Sequence, residues 1–145
     1  MKKTFLAALL CAGSFMTTQA AYLRFYNMTG CDFVFNINGA IGTTGAFGAN
    51  NVVIPPGTTI FNDPSFLPGV SQSGTGSLAS GHVELVKGYD VGGPSFVIGV
   101  SPSYPTMSTT YNSASNSHYP ACYGNTAFVA SFLPNLTLDV VVLIN

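Results

Sequence analysis

Short apolar runs with a period of two, separated by glycine, proline and asparagine, constrain the fold of this chain more than any other feature. In residues 32–38, Phe33, Phe35 and Ile37 alternate with residues of the opposite face, as expected for a strand with one buried side. Beyond position 20, no stretch of about ten residues carries an apolar stripe of helical period, and strong helix formers are scarce. The pattern therefore predicts an all-β protein.

Eight segments have this strand character, and turn residues separate them. They are 21–28, 32–38, 51–54, 58–61, 82–87, 95–101, 125–132 and 136–145. Thr29-Gly30 predicts a hairpin between the first two, and 39–51 reads as a loop. The polar stretches 69–81 and 102–122 are expected to be irregular. The order predicts one domain over 21–145, an antiparallel β-sandwich of about eight strands, immunoglobulin-like or jelly-roll.

The first twenty residues have the pattern of a cleaved secretory signal. Lys2 and Lys3 precede an apolar run of 11 residues, 5–15, and small residues at Thr18 and Ala20 fit cleavage after Ala20. The apolar run is too short for a membrane span, which needs about 20 residues. We therefore expect a secreted protein of bacterial type, extracellular, at the cell surface or in the periplasm, with no membrane span.

The cysteines predict one disulfide. Of the three in the chain, Cys11 leaves with the signal, so Cys31 and Cys122 remain. Two cysteines in an exported chain most simply pair with each other, and closing such a loop stabilises the fold by roughly 4 kcal/mol. Two unpaired thiols, or a bridge between molecules, are the alternatives.

Charge is unusually sparse, and this limits the partners. Beyond position 20 the charged residues are Arg24, Lys87, Asp32, Asp63, Glu84, Asp90 and Asp139. Two basic side chains cannot neutralise a phosphate backbone or hold the chain on anionic lipid, so nucleic-acid binding is not expected. The remaining partners are copies of the chain itself, which little charge repulsion keeps apart, or neutral ligands such as glycans.

Motifs for catalysis or metal binding are missing from the sequence. It has no nucleophile elbow, metalloprotease motif, phosphate loop or dinucleotide fingerprint. His82 and Glu84 share a predicted strand face, but two ligands are too few for a structural metal site. We expect a protein that is not an enzyme and that uses no cofactor and no metal.

A tyrosine-rich segment, 104–123, is the candidate ligand-binding region. It contains Tyr104, Tyr111, His118, Tyr119 and Tyr123. Tyrosine offers a large amphipathic contact area at low entropic cost, and the serines and asparagines around it add hydrogen-bonding groups. Such a segment suits a glycan or another surface protein. The alternative is a loop, tied down by Cys122, that covers one end of the sandwich.

The terminal strands suggest self-association instead. The candidate residues are Tyr22, Leu23, Phe25, Val140, Val142 and Ile144. A strongly apolar terminal strand must either pair within its own sheet or add to the edge of a neighbour. The leading hypothesis is a structural or adhesive subunit that self-associates through strand edges and an uncharged surface, with extracellular fibres as one form of the assembly. An extracellular binding module is the alternative.

Overall fold

The structure, a computed structural model, describes residues 21–90 and 92–145. The predicted signal segment, 1–20, lies outside the described residues. Ten strands form the fold: β1 Leu23–Asn27, β2 Phe33–Ile41, β3 Gly45–Ile54, β4 Gly57–Phe61, β5 Ser71–Ser73, β6 His82–Asp90, β7 Phe96–Gly99, β8 Thr110–Asn112, β9 Val129–Pro134 and β10 Val140–Ile144. Four single turns of 3-10 helix lie at Pro64–Phe66, Leu78–Ser80, Ser113–Asn116 and Ala121–Tyr123. The prediction of an all-β protein is confirmed.

The strands form two five-stranded sheets. Sheet A has the order β4-β1-β10-β9-β8, and sheet B has the order β5-β3-β2-β6-β7. Every pair is antiparallel except β1 and β10, which run parallel with Leu23 beside Val140 and Asn27 beside Ile144. The inward side chains of both sheets meet in one core, so the sandwich prediction holds, with two more strands than the eight expected.

The extra strands lie where the sequence indicated irregular chain. β5 falls within 69–81 and β8 within 102–122, while the predicted loop 39–51 is largely the β2–β3 hairpin. In that hairpin the small residues are required by packing, because a Cβ at Gly39 would approach the Phe47 ring to 2.5 Å. Glycine at this position therefore marks a close contact within the sheet and does not mark a turn.

The predicted hairpin between β1 and β2 is wrong, because the two strands belong to different sheets. A buried polar network makes the crossing between them. The Asn27 amide donates to the carbonyl oxygens of Cys31 (2.7 Å) and Ile54 (3.3 Å), and its oxygen accepts from the backbone and hydroxyl of Thr29. Residues in and beside the predicted turn therefore form hydrogen bonds with the Asn27 side chain, which joins the two sheets.

Phenylalanine rings fill the centre of the core. Phe25 of sheet A lies 5.0 Å from Phe35 of sheet B, centroid to centroid, and Phe33 lies 5.0 Å from Phe128. The parallel pairing of β1 and β10 also gives the sandwich two distinct ends. Asn27, Ile144 and the Cys31–Cys122 bridge lie at the disulfide end, and Leu23, Val140 and the β9–β10 turn lie at the turn end.

Cys31 and Cys122 are bonded, with an S–S distance of 2.01 Å. The predicted disulfide is thus present within the chain, and it is consistent with an oxidising compartment such as the extracellular space or periplasm. Among the described residues, no helix is both long enough and apolar enough to cross a membrane.

Candidate interaction surfaces

The structure separates the tyrosines of segment 104–123 instead of gathering them. Tyr104 is 60% exposed and follows β7 at the turn end, where its backbone N–H donates to Ser101. Tyr119 is 49% exposed and lies beside His118, which contacts the last residue of β6 at the disulfide end. The two most exposed tyrosines of the segment therefore belong to opposite ends of the sandwich and do not form one surface.

The other two tyrosines pack against the core. The Tyr111 ring stacks on Phe96 with a centroid distance of 4.5 Å and an interplanar angle of 8°, and its hydroxyl accepts from the Asn116 amide. Tyr123 is half-buried against the same core. Packing against the core accounts for large aromatic side chains at these two positions. A ligand-binding role for them stays a prediction.

His118 forms a buried pair with Asp90. Its Nε2 lies 2.8 Å from Oδ1 and 2.9 Å from Oδ2 of Asp90, whose side chain is only 3% exposed. The imidazole edge also faces the Phe128 ring. Gly93 packs directly against the pair, since a Cβ there would collide with Asp90 Oδ1 and lie 2.5 Å from His118 Nε2. The Asp90 side chain is thus enclosed and His118 is half-buried, and the contact between them ties residue 118 to the end of β6.

Two attachments therefore pin the segment around residues 113–123 to sheet B. Cys122 is bonded to Cys31 just before β2, and His118 is bound to Asp90 at the end of β6. These points are neighbours, because Phe33 of β2 pairs with Asp90 in the sheet. Residues 113–123 are thus fixed over the disulfide end, whereas the predicted segment 104–123 as a whole extends to both ends of the sandwich.

The predicted self-association residues do not lie at a sheet edge. Leu23, Phe25, Val140, Val142 and Ile144 are at most 2% exposed, and only Tyr22, at 42%, reaches the surface. β1 and β10 are interior strands of sheet A, with β4 and β9 on their outer sides. Of the two possibilities for the terminal strands, the structure shows pairing within their own sheet, and self-association through them stays a prediction without an open edge to support it.

The opposite, outward face of sheet A is apolar, and sequence reasoning missed it. Its two central cross-strand rows are Ile60–Arg24–Val141–Leu133 and Thr58–Tyr26–Leu143–Ser131. Ile60 and Leu133 are each 49% exposed, and the side chains between them are half-buried. The signal was present in β10: a strand with one face in water alternates, whereas Val140–Ile144 is apolar at every position.

Arg24 is the only charged residue in these rows, and it lies flat on the sheet. Its guanidinium carbon is 6.0 Å from the centroid of the Tyr26 ring, and Nη1 donates to the Tyr26 hydroxyl at 3.3 Å. Its Nε is buried and has no hydrogen-bond partner among the described residues. The stem of this arginine thus covers apolar surface and leaves the face nearly flat.

A groove of about 210 Å³ opens between the sheets at the turn end. Its floor is apolar, with the buried side chains of Val83, Phe132 and Val140, and its rim carries Val100 and Leu138, which are 52% and 54% exposed. This volume exceeds that of a cavity of about 150 Å³ that binds benzene in another protein. The groove is therefore large enough for one compact apolar group.

The β9–β10 turn beside the groove is rigid and carries leucines outward. The Asn135 side-chain oxygen accepts from the backbone of Thr137 and Asp139 at 2.9 Å each. Leu138 adopts φ +66°, a left-handed conformation that is unfavourable for leucine, and Leu136 is fully exposed. Hydrogen bonds within the turn hold this conformation in place.

Asp139 joins this turn to the start of β1. Burial raises its pKa, but hydrogen bonds from Asn135, the Tyr22 backbone and Thr137, together with the Arg24 charge, hold the pKa below its ordinary value. Tyr22 N–H donates to Asp139 Oδ1 at 2.9 Å. An ionised Asp139 therefore stabilises the beginning of the parallel β1–β10 pair.

The remaining polar cluster is small. His82 Nε2 lies 3.8 Å from Glu84 Oε1, and the Ser101 hydroxyl donates to Glu84 Oε2 at 2.8 Å. Within residues 21–90 and 92–145, no three or more His, Cys, Asp or Glu side chains are grouped as a metal site would need. The expectations that the chain is no enzyme and uses no metal or cofactor stay predictions.

Comparisons of the chain with protein families, with curated proteins and with solved structures find no match. Its function is therefore inferred from its own surfaces.

Proposed function

We propose that this chain is a secreted structural or adhesive subunit that associates with copies of itself. One observation supports this proposal most: the outward face of sheet A carries two cross-strand rows of mostly apolar residues with a single charge. Exposed apolar faces of this kind mark surfaces that a partner covers.

The size of the face is compatible with a partner. The two rows cross four strands about 4.8 Å apart and take up about four residues at about 3.3 Å along each strand, which gives a projected area of roughly 250 Å². That is close to the roughly 300 Å² at the lower end for the largest apolar patch on an ordinary monomer, and it is about a third of the roughly 800 Å² that each partner contributes to a standard interface. The face alone therefore supports a weak contact between subunits, and a second contact is needed for a stable one.

Sparse charge favours a second copy as the partner. A strongly charged partner would find only Arg24 in these rows, and that guanidinium already contacts Tyr26. Copies of this chain, by contrast, carry little charge and repel each other weakly. Association should persist at high salt, because few ion pairs contribute to it.

The test is a pair of matched substitutions on the two sheets. Leu133→Lys places a charge on the outward face of sheet A, and Val53→Lys does the same on sheet B, where Val53 is 57% exposed. Sedimentation of the exported protein over a wide concentration range, with electron microscopy of the material, should show assemblies for the native protein and the Val53 variant. The Leu133 variant should shift to monomer. A native protein that stays monomeric throughout would overturn the proposal.

Secretion itself is tested by the amino terminus of the exported protein. The disulfide supports an oxidising compartment, and cleavage after Ala20 is the sequence prediction. Terminal sequencing should therefore begin at Ala21. Retention of the intact chain in the cytoplasm with Cys31 and Cys122 reduced would contradict this part of the proposal.

A binding module is the second candidate, and the groove at the turn end favours it. Its apolar floor suits a compact apolar group of a glycan or protein ligand. In a glycan array or pull-down, Val100→Lys on the rim of the groove should then weaken binding. Val53→Lys, an equally exposed valine of sheet B that does not line the groove, is the matched control and should bind normally. Equal binding by both variants would remove the groove from consideration.

A further inference from the structure

We propose that two copies pair through β4, Gly57–Phe61, edge to edge and antiparallel about a two-fold axis at Thr59. This inference rests on the proposed self-association and names the contact that would make it stable. It differs from the sequence-based hypothesis, which placed the contact on the terminal strands β1 and β10.

β4 is the least protected of the four sheet edges. It has five residues with no charge, no proline and no break in register, and its backbone hydrogen bonds are those with β1. Natural proteins protect edges with short strands, charges, prolines or bulges. β4 has none of these features within its bounds.

The other three edges are protected in the ways that β4 lacks. β5 and β8 have three residues each. β7 has four, and its Gly99 N–H already donates to the Ser108 carbonyl. β4 is therefore the edge on which a further strand can form the longest ladder.

The edge of β4 is complementary to itself. In an antiparallel pair centred on Thr59, Thr58 faces Ile60 of the second copy, and Gly57 faces Phe61. Backbone groups of a strand point alternately to its two sides, and this register brings the outward groups of both copies opposite each other. No charged residue lies within β4: Arg24 is on the neighbouring strand β1, and Asp63 follows two residues after Phe61, so antiparallel pairing puts the two copies of Asp63 at opposite ends of the ladder. A two-fold axis closes the pair, so the contact ends at two copies.

Pairing also reduces the shortage of interface area. Joining two sheets at β4 makes one ten-stranded sheet whose outward apolar faces are continuous across Ile60 and Thr58 of both copies. The combined face measures about 500 Å² in projection, which is more than half of the roughly 800 Å² that one partner contributes to a standard interface. The prolines on either side, Pro56 and Pro64, stop the ladder from extending beyond β4. The edge thus gives a defined dimer, and the doubled face then gives further assembly.

Cysteine cross-linking tests both the edge and the register. Thr59→Cys puts two sulfurs directly opposite each other at the axis, where Cα atoms about 4.5–5.5 Å apart allow a disulfide. Thr110→Cys on the exposed edge strand β8 is the matched control. Paired edges hold groups at effective concentrations near millimolar, so at micromolar protein the Thr59 variant should yield at least about tenfold more covalent dimer than the control. Non-reducing gels and mass spectrometry of the full exported protein measure this ratio.

A mixing experiment tests the register more strictly. Thr58→Cys alone should not cross-link, because two copies of residue 58 would be offset by two positions and lie about 8 Å apart, beyond the reach of a disulfide. A mixture of the Thr58→Cys and Ile60→Cys variants should form the mixed dimer. All three substitutions lie on an edge strand, so folding can be checked independently by the intact Cys31–Cys122 bond.

The outcomes separate this inference from the proposed function. Preferential Thr59 cross-linking with mixed Thr58–Ile60 dimers supports the pairing. Assemblies that form while Thr59→Cys cross-links no better than Thr110→Cys overturn the β4 contact and leave self-association standing. A protein that is monomeric by sedimentation and does not cross-link overturns both.

Discussion

Removing the His118 side chain should destabilise the fold strongly, because it leaves a buried carboxylate without its partner. The Asp90 side chain is 3% exposed, and its hydrogen bonds are those to His118 Nε2 at 2.8 and 2.9 Å. Leaving a buried polar group without its hydrogen-bond partner costs about 1–3 kcal/mol. The His118 side chain is 19% exposed, so water reaches part of the site, and we expect the middle of this range, about 2 kcal/mol, for His118→Ala.

Urea unfolding of the oxidised protein measures this loss, and a double-mutant cycle assigns it to the pair. His118→Ala and Asp90→Ala should each be costly, and the double variant should cost at least about 1.5 kcal/mol less than their sum, because each single change already removes the shared interaction. Tyr119→Ala is the control: the residue is exposed and adjacent, and its change should stay within about 0.5 kcal/mol.

Additivity would refute this reasoning. If the cost of the double variant equals the sum of the single costs to within about 0.5 kcal/mol, then the two side chains are not energetically coupled. The cover over the disulfide end would then be held by the disulfide and by ring packing against Phe128, and not by the pair.

Four further changes have expected outcomes. Replacing Cys31 and Cys122 by Ser should lower the free energy of unfolding by about 4–5 kcal/mol in urea titrations, because the bond closes a loop with a sequence separation of 91. Asn27→Ala should cost about 2–3 kcal/mol in the same assay, since it leaves buried carbonyl and hydroxyl groups unpaired. Leu138→Asn should raise stability by about 0.5–1 kcal/mol by relieving a left-handed leucine. The fold lowers the pKa of Asp139, so its ionised side chain stabilises the folded state fully above the ordinary carboxyl range. That stabilisation is lost as the pH falls through the lowered pKa. Between pH 7 and acid, the urea midpoint of Asp139→Asn should therefore decline less than that of the native protein.

The alternation of apolar and polar residues in the sequence predicted the strands that have one face in the core and the other face outward. In β1 and β2 the residues alternate between buried and outer positions, and the sequence alternation follows them. The sequence did not predict β5 and β8, because they lack this alternation. All three residues of β5 are exposed, and only Tyr111 of β8 faces inward, so neither strand carries a burial pattern. Edge strands of this length are defined by their neighbours in space.

The other differences between the sequence-based prediction and the structure come from contacts between residues far apart in the sequence. The β1–β2 crossing depends on the Asn27 amide reaching Ile54, and no local turn signal records that contact. The pairing of Cys31 with Cys122 was predictable because only two cysteines follow the predicted signal segment. The distribution of Tyr104 and Tyr119 to opposite ends was not, since it depends on the direction in which β7 and β8 cross the sandwich.

The position of β10 between β1 and β9 determines when the fold can be completed during synthesis. β1 is among the first described residues to leave the ribosome, yet it has only β4 as a partner until 140–144 have been made. Contacts so distant in sequence form slowly, because the closing of a long loop precedes the gain from pairing. Sheet A therefore stays incomplete until β10 has been made, whereas all five strands of sheet B are present before β8.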